Sequence, residues 1–461
     1  MNQKLDLNVK SFISSIIVII VLMIISYGLT FVLPAGQYTR IIDEAGHAII
    51  DTTVPFAPTT GNLTFVKFLL SPFLVLGSEG NLTLIEIIAF LFVIGGIFNC
   101  LTESKMLNYS LNKITYKYSN SRYKLLYVIS LFFMLMGSLI GSSEEIIPLV
   151  PIITSLTISL GFDSLTGLGI SILAGSCGFS SGISNPFTIG IAQEIAGLPM
   201  FSGVWYRIIV FIIEYILLMY VVTSHAKKVE KPQNEIKSDF VPDDKLDRAS
   251  NAFVIIMGIG IAICFSSIFI TSLQDWTLII FSVMFLVAGI VSCALAKLSV
   301  KDFTKTFFNG LKEMLPVVIM ILMASSVKYI LDEAKILDTI IYYIMSVTSG
   351  MPKWSIILFI YFIFLVLEIF IASGSAKAFL LMPLVLPIAQ VSGISSQLTI
   401  LAFAFGDGFS NELYPTNPGL LISLNLANTS VIDWFKYTFK FIVINLIVTI
   451  SILLFGLYIG Y

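Results

Sequence analysis

Apolar residues dominate the chain in runs of two lengths. Long runs fall at about 11–34, 83–103, 203–224, 251–272, 277–297, 313–330 and 434–460, each enough for one bilayer-crossing helix of roughly 20 residues. Shorter runs come in pairs: 125–140 with 146–160, 166–182 with 187–198, 354–372 with 379–391, and 398–409 with 418–427. Gly, Ser, Asn and Pro separate the members of each pair. Half-length apolar runs around helix breakers predict re-entrant hairpins and broken transmembrane helices. The expected fold class is an all-α polytopic membrane protein.

The first run, Phe12–Leu33, is too long for a signal-peptide core and reads as a retained first transmembrane helix. It leaves through LPAGQYTR into a polar stretch of about 45 residues.

Aligning the chain with itself shows a second level of pattern. LTESKMLN at 101–108 matches LDEAKILD at 331–338, and AGSCGFSS at 174–181 matches AFGDGFSN at 404–411, both at an offset of 230. SNP at 184–186 then matches TNP at 416–418, and GSSEEIIPLVPI at 141–152 resembles SGSAKAFLLMPLVLPI at 373–388. Polar landmarks in one order at a near-constant offset are not what unrelated apolar helices produce, so two copies of one unit are expected.

Charge supplies the orientation. With a cytoplasmic N-terminus, the segments 1–10, 104–124, 225–250, 297–312 and 428–440 lie inside and hold 19 of the 26 basic residues. That excess follows the positive-inside rule. The first copy then starts outside and the second inside, so the repeats are inverted, the pattern that points to alternating-access transport. The expected organisation is a first helix with an extracytoplasmic loop (1–82), repeat 1 (83–225, tip 141–145, break 180–186), a cytoplasmic linker (226–250), two scaffold helices (251–312) and repeat 2 (313–461, tip 373–377, break 409–418).

Composition narrows the class. The chain is 57% hydrophobic and 12% charged, about half the charge of an average soluble domain. No basic arm suggests nucleic acid as a partner; the partners expected are a small charged organic solute and the lipid bilayer. Four scattered cysteines without a CxxC pair and two histidines argue against a disulfide framework or zinc site. No GxxxxGK[ST] loop or HExxH pair occurs, and the apolar segments lack histidine, so neither ATP-driven pumping nor an enzyme is expected, and no cofactor. A channel needs no paired inverted hairpins and is the weaker non-enzyme reading.

Candidate chemistry collects at the tips and breaks, where freed backbone groups must face protein, water or cargo. The first tip offers Ser142, Ser143, Glu144 and Glu145; the first break offers Ser184, Asn185 and Thr188. The second tip offers Ser373, Ser375 and Lys377; the second break offers Asp407, Asn411, Glu412, Thr416 and Asn417. Freed carbonyls suit cations and half-helix N-termini suit anions, so a sodium ion near Ser142, Ser143 and Asn185, or proton coupling, is open. Lys377 either pairs internally, for instance with Asp407, or takes part in binding. Glu86, Glu214 and Glu368 lie on ordinary spans and read as helix–helix contacts, and Asp163 as a helix cap.

VLPAGQY (32–38), GSSEEIIPLVPI (141–152), GFSSGISNPFTIGIAQEIAGLP (178–199) and GDGFSNELYPTNPGLL (406–421) carry a resemblance over nearly the whole chain. The chain resembles the YfcC-like branch of the anaerobic four-carbon dicarboxylate carriers (DcuC-like), within a wider ion-transporter group. That resemblance implies a homodimer with an elevator-like transport domain in a bacterial inner membrane, and binding roles for Ser142, Ser143, Ser184, Asn185, Ser373, Ser375, Thr416 and Asn417. It implies either dicarboxylates, from the family, or basic amino acids exchanged as by arginine/ornithine antiporters, from the branch. The acidic balance of the candidate residues favours the second.

Overall fold

The computed structural model describes residues 9–42, 48–50, 54–78, 82–139, 141, 144–199, 202–232, 240–266, 273, 276–346 and 351–461. The first apolar run is helix α1 (Val9–Val32). In the polar stretch that follows, β1 (Gly36–Gln37) pairs with β4 (Ala57–Pro58), and β2 (Arg40–Ile42) with β3 (Ala48–Ile50), all antiparallel. Helix α2 (Phe65–Leu74) follows, with the Thr64 hydroxyl accepting from the Lys67 N–H.

The first half continues through α3 (Leu82–Glu103), α4 (Met106–Tyr118), α5 (Arg122–Leu139), α6 (Val150–Ser159), α7 (Ser164–Leu168), α8 (Ala174–Ser181), α9 (Ile191–Ile195) and α10 (Val204–Val229). The second half holds α11 (Asp244–Ser266), α12 (Thr277–Leu295), α13 (Val300–Glu333), α14 (Leu337–Ser346), α15 (Lys353–Leu367), α16 (Gly374–Val391), α17 (Ser396–Ser410), α18 (Pro418–Leu426) and α19 (Val431–Ile459). Eight helices among the described residues are long and apolar enough to cross a membrane. The chain is an all-α polytopic integral membrane protein.

Helix α19 shows how sequence selects the faces of such a helix. Trp434, Thr438, Phe441, Asn445, Thr449, Ile452 and Gly456 recur at three- and four-residue spacing and are buried, while Phe439, Val443, Ile447 and Phe455 are exposed. The hydroxyls and amide thus turn inward and bare hydrocarbon turns outward, the arrangement lipid requires. Glycines set the close crossings: a Cβ on Gly137 of α5 would collide with the Gly175 carbonyl of α8, as expected where two helix backbones touch.

The expected domain limits shift at three points. The edges of the 226–250 linker fall inside α10 and α11, because the charged ends of both helices stay helical; Glu230 N–H still donates to Ala226 O. The limit at 312/313 lies inside α13, whose Ser299 cap starts the helix thirteen residues earlier. At about 1.5 Å per residue, its 34 residues outrun the membrane, so Lys301, Asp302 and Lys305 form a polar overhang. The polar stretch after α1 also has more structure than expected. It straps onto the end of α13 and the start of α14: Gly36 N–H donates to Lys335 O (2.8 Å), Asn62 N–H to Glu333 O (2.9 Å), and Asp338 accepts from Tyr38 N–H (2.9 Å) and Arg40 (2.8 Å).

Two correspondences follow the sequence repeat. Lys105 and Lys335, 230 residues apart in the matched motifs, both adopt left-handed backbone at helix ends, with φ of 63° and 56°. Asp163 and Ser395 each cap the rod that leads to a break, and each follows a left-handed glycine two residues earlier, Gly161 and Gly393.

Candidate functional site

The first rod runs from the Asp163 cap through α7, a π-helical turn at Gly169–Leu173, and α8. It is longer than its counterpart α17, and the wider π turn takes up part of the excess. The rod ends where Gly182 turns left-handed at φ 49°, and Pro186 starts a second π turn, Pro186–Gly190. Asn185 is fully buried between them, and its side-chain oxygen accepts from Thr188 N–H at 3.2 Å. Ser138 at the end of α5 ties the gap down: its hydroxyl accepts from Ile183 N–H (3.0 Å) and its carbonyl from Ser184 N–H (3.2 Å).

Just beyond α5, Gly141 has φ 76° and packs so closely that a Cβ there would overlap the Asn185 amide. The first tip and the first break are therefore in contact. Ser142 and Ser143 lie outside the described residues. Glu144 and Glu145 open a 3₁₀ turn, Glu144–Leu149, and their side chains lie outside the described set. The same turn reaches the second half of the chain, since Ile147 lies 3.6 Å from the position a Cβ on Gly419 would take.

The second rod, α17, ends at Ser410, and Pro418 starts α18. Asn417 caps α18, accepting from Gly419 N–H at 2.8 Å and Leu420 N–H at 3.4 Å, while its amide donates to Asn411 at 2.9 Å. Asn411, Glu412 and Thr416 are buried in the gap. Trp434 of α19 anchors the gap by donating from Nε1 to the Glu412 carbonyl at 2.8 Å. The two rods cross at Gly408, whose carbonyl accepts from Ser176 Oγ at 2.5 Å and whose missing Cβ leaves room for Ser180.

The second tip lies between α15 and α16. Ser373 caps α16, accepting from Ala376 N–H at 3.4 Å, and its exposed hydroxyl lies 3.3 Å from that of Ser375. One turn further, Lys377 is fully buried and pairs with both Asp407 and Glu368, which are also fully buried. Gly374 packs against the same group: a Cβ there would lie 2.6 Å from Asp407 Oδ2 and 2.9 Å from Thr188. The second tip thus reaches its own rod through Asp407 and the first break through Thr188. Among the described residues the buried Thr188 and Thr416 hydroxyls have no hydrogen-bond partner.

The expected internal pair of Lys377 and Asp407 is present, and Glu368, expected as a helix–helix contact, joins it from the end of α15. It stands at the end of α15, five residues before the Ser373 cap, where the chain turns it toward Lys377. Its nearness in sequence to an opposite charge across a predicted tip was the available signal. Arg207 was also passed over: almost fully buried on α10, it donates to the Ile183 carbonyl at the first break (3.3 Å) and to Ser202 O (3.0 Å). Glu214 contacts Asn445 of α19 through both carboxylate oxygens when the amide is turned to donate, at 2.7 and 3.0 Å. Asp163 does cap α7, and its carboxylate also meets His225 at 2.8 Å.

Gly178–Gly182 fits the GxSxG spacing of serine hydrolases. That chemistry needs its serine on a strand-to-helix turn, whereas Ser180 is buried inside α8 with its hydroxyl directed to Cys177 O.

Comparison with known proteins places this geometry in a family. The C4-dicarboxylate anaerobic carrier (DcuC) family matches residues 12–458. YfcC of Escherichia coli (strain K12), provisionally named a basic amino acid antiporter, is 30% identical over 378 residues, 77% of this chain and 74% of its own. An uncharacterized Haemophilus influenzae protein (strain ATCC 51907 / DSM 11121 / KW20 / Rd) is 24% identical over 484 residues, covering 94% of each chain. Among solved structures, the Alcanivorax borkumensis YdaH transporter aligns at TM-score 0.46 and 14% identity, covering 97% of this chain and 99% of that one. Neisseria gonorrhoeae MtrF aligns at 0.45 and 14%, covering 97% and 96%. The match over nearly the whole chain shows that this protein belongs to the C4-dicarboxylate anaerobic carrier family of membrane transporters.

Proposed function

We propose that the chain is a secondary active transporter of the bacterial cytoplasmic membrane, exchanging basic amino acids of the arginine/ornithine kind. The observation that carries this reading is the convergence of both tips and both breaks, through Gly141 on Asn185, Gly374 on Asp407 and Thr188, and Ile147 on Gly419. A site built from two halves can open to either side when one half moves against the other. The two halves are read as inverted repeats on the matched motifs and the matched left-handed lysines. The basic-residue bias supports a cytoplasmic N-terminus, and the resemblance supports a homodimer moving as an elevator.

Cargo charge follows from the side chains gathered there. Asp407 and Glu368 are buried against Lys377, Glu412 is buried at the second break, and Glu144 and Glu145 lie at the first tip. Arg207 adds a second cation near the first break. Five carboxylates against two cations favour an ammonium- or guanidinium-bearing cargo, in agreement with the name of YfcC. The family description instead speaks of C4-dicarboxylates. An anion of that kind would need protons or sodium to offset the acid groups.

Proteoliposome uptake of labelled arginine decides between them. Uptake should be driven by internal ornithine and competed by external ornithine but not by succinate. Competition by succinate alone would support the dicarboxylate reading. Uptake without saturation or trans-stimulation would indicate a channel.

A further inference from the structure

We infer that the Lys377 ammonium occupies a built-in cation site, whose ligands are Glu368 and Asp407, so that the second half of the protein carries its own cation. The inference deepens the proposed transport site and rests on it for its functional meaning.

Three observations carry it. Glu368 at the end of α15 and Asp407 within α17 come from different elements, yet both point a carboxylate at one nitrogen, and all three side chains are fully buried. Two buried carboxylates facing each other repel strongly unless a cation stands between them. Hard oxygen ligands of this kind suit a small metal cation as well as an ammonium. Second, Gly374 leaves room for Asp407 and the Thr188 methyl to approach the start of α16, and the hydroxyl of the same threonine is buried with no partner among the described residues. Third, the lysine rises from the first turn of α16, one turn after the Ser373 cap. A cation tethered there stays with the protein through every cycle and cannot be released with cargo.

The consequence is an asymmetry between the halves. The second half needs no sodium, because lysine fills the place where sodium would sit. Removing the ammonium should then open the place to a monovalent metal ion.

The test uses the purified full-length chain, with thermal unfolding followed in sodium chloride and in choline chloride of equal ionic strength. Wild type should unfold at the same temperature in both. Lys377→Ala should unfold several degrees lower in choline and recover in sodium, since a ligand that binds only the folded state stabilises it. Glu368→Gln combined with Lys377→Ala should lose that response. A folded Lys377→Ala protein indifferent to sodium, lithium and potassium overturns the inference. So does a wild-type sodium response that Asp407→Asn abolishes, because the cluster would then already take the metal. If Lys377→Ala and Lys377→Met cannot be recovered in any of these salts while E368Q/K377M/D407N can, the lysine is a fixed counter-charge and the inference fails. The readout needs no cargo: a sodium response in a variant whose parent fails to exchange arginine leaves this inference standing and removes the cargo reading.

Discussion

Asn185 and Asn417 do the same work in the two halves. The side-chain oxygen of Asn185 accepts from Thr188 N–H at 3.2 Å, and that of Asn417 accepts from Gly419 N–H at 2.8 Å. Each sits immediately before the proline that opens the next half-helix, so each satisfies amides that the break strands in the protein interior. The partnership differs on the other side. Asn417 also donates to Asn411, while Asn185 lies against Gly141 at the first tip.

Replacing either asparagine should therefore damage transport more than folding. Losing an N-cap costs about 1 kcal/mol, which a protein of this size tolerates. A half-helix whose first turn has shifted no longer presents its site groups. Asn185→Ala and Asn417→Ala should both remain monodisperse in detergent yet lose uptake by roughly tenfold or more, the equivalent of about 1.4 kcal/mol in the rate. Asn417→Asp keeps the acceptor and loses the donation to Asn411, so it should fall between wild type and alanine. Uptake normalised to protein inserted in liposomes measures this; equal activity of Asn417→Ala and wild type would remove the cap from the mechanism.

Gly408 should tolerate no side chain. A Cβ there would stand 2.5 Å from both the N and the Cα of Ser180, backbone atoms that cannot swing aside. Gly408→Ala must push the two rods apart, and forced expansion of a packed contact costs about 1–3 kcal/mol. Gly258 of α11 meets nothing within 4 Å, so Gly258→Ala is the matched control and should leave the melting temperature unchanged or slightly raised. A similar melting temperature for the two variants would mean that the rods do not cross in contact at this point.

The breaks were legible in the sequence because breakers cluster there: Gly182 and Pro186 at the first and Pro418 after a polar run at the second, whereas the isolated Pro316 is carried inside α13. The pairing of Lys377 with Asp407 was also legible, since two opposite charges in apolar runs must find partners. Glu368 was less so, because nine residues across a turn correspond to no helical or strand period and its nearness to Lys377 across the tip was the one signal. The strap after α1 was hidden for a related reason. Strands of two or three residues carry no alternation to read, and their fixing points lie on Glu333, Lys335 and Asp338, about 300 residues further along the chain than Gly36, Tyr38 and Arg40.

That strap gives a proteolysis prediction. Asp338 holds Tyr38 N–H and the Arg40 guanidinium together, and Lys67 pairs with Glu333 one turn earlier on the other side of the α13–α14 junction. Asp338→Ala removes both bonds to the carboxylate, leaving the less exposed partner, Tyr38 N–H, unsatisfied at a cost of about 1–3 kcal/mol. Trypsin should then cut after Arg40 faster than in wild type, while Lys67→Ala should produce a smaller change because its ion pair is more exposed than that of Asp338. Mass spectrometry of early fragments reads the site directly, and an unchanged cleavage rate after Arg40 would show that the strap is held elsewhere.

The paired lysines offer a test of the repeat that does not depend on transport. Lys105 and Lys335 both adopt positive φ at helix ends, where a side chain costs about 1–2 kcal/mol and glycine costs far less. In each, the backbone N–H donates three residues back, to Thr102 O at 3.0 Å and to Asp332 O at 3.1 Å, so the bond pattern is the same at both positions. Lys105→Gly and Lys335→Gly should each raise the melting temperature slightly, and the double variant should show the sum, because distant sites act independently. Part of the gain is offset by the greater freedom of glycine in the unfolded chain, so the effect of each should stay below about 1 kcal/mol. Stabilisation at one position with destabilisation at the other would show that the two turns, though alike in sequence and backbone, are not equivalent parts of one repeated unit.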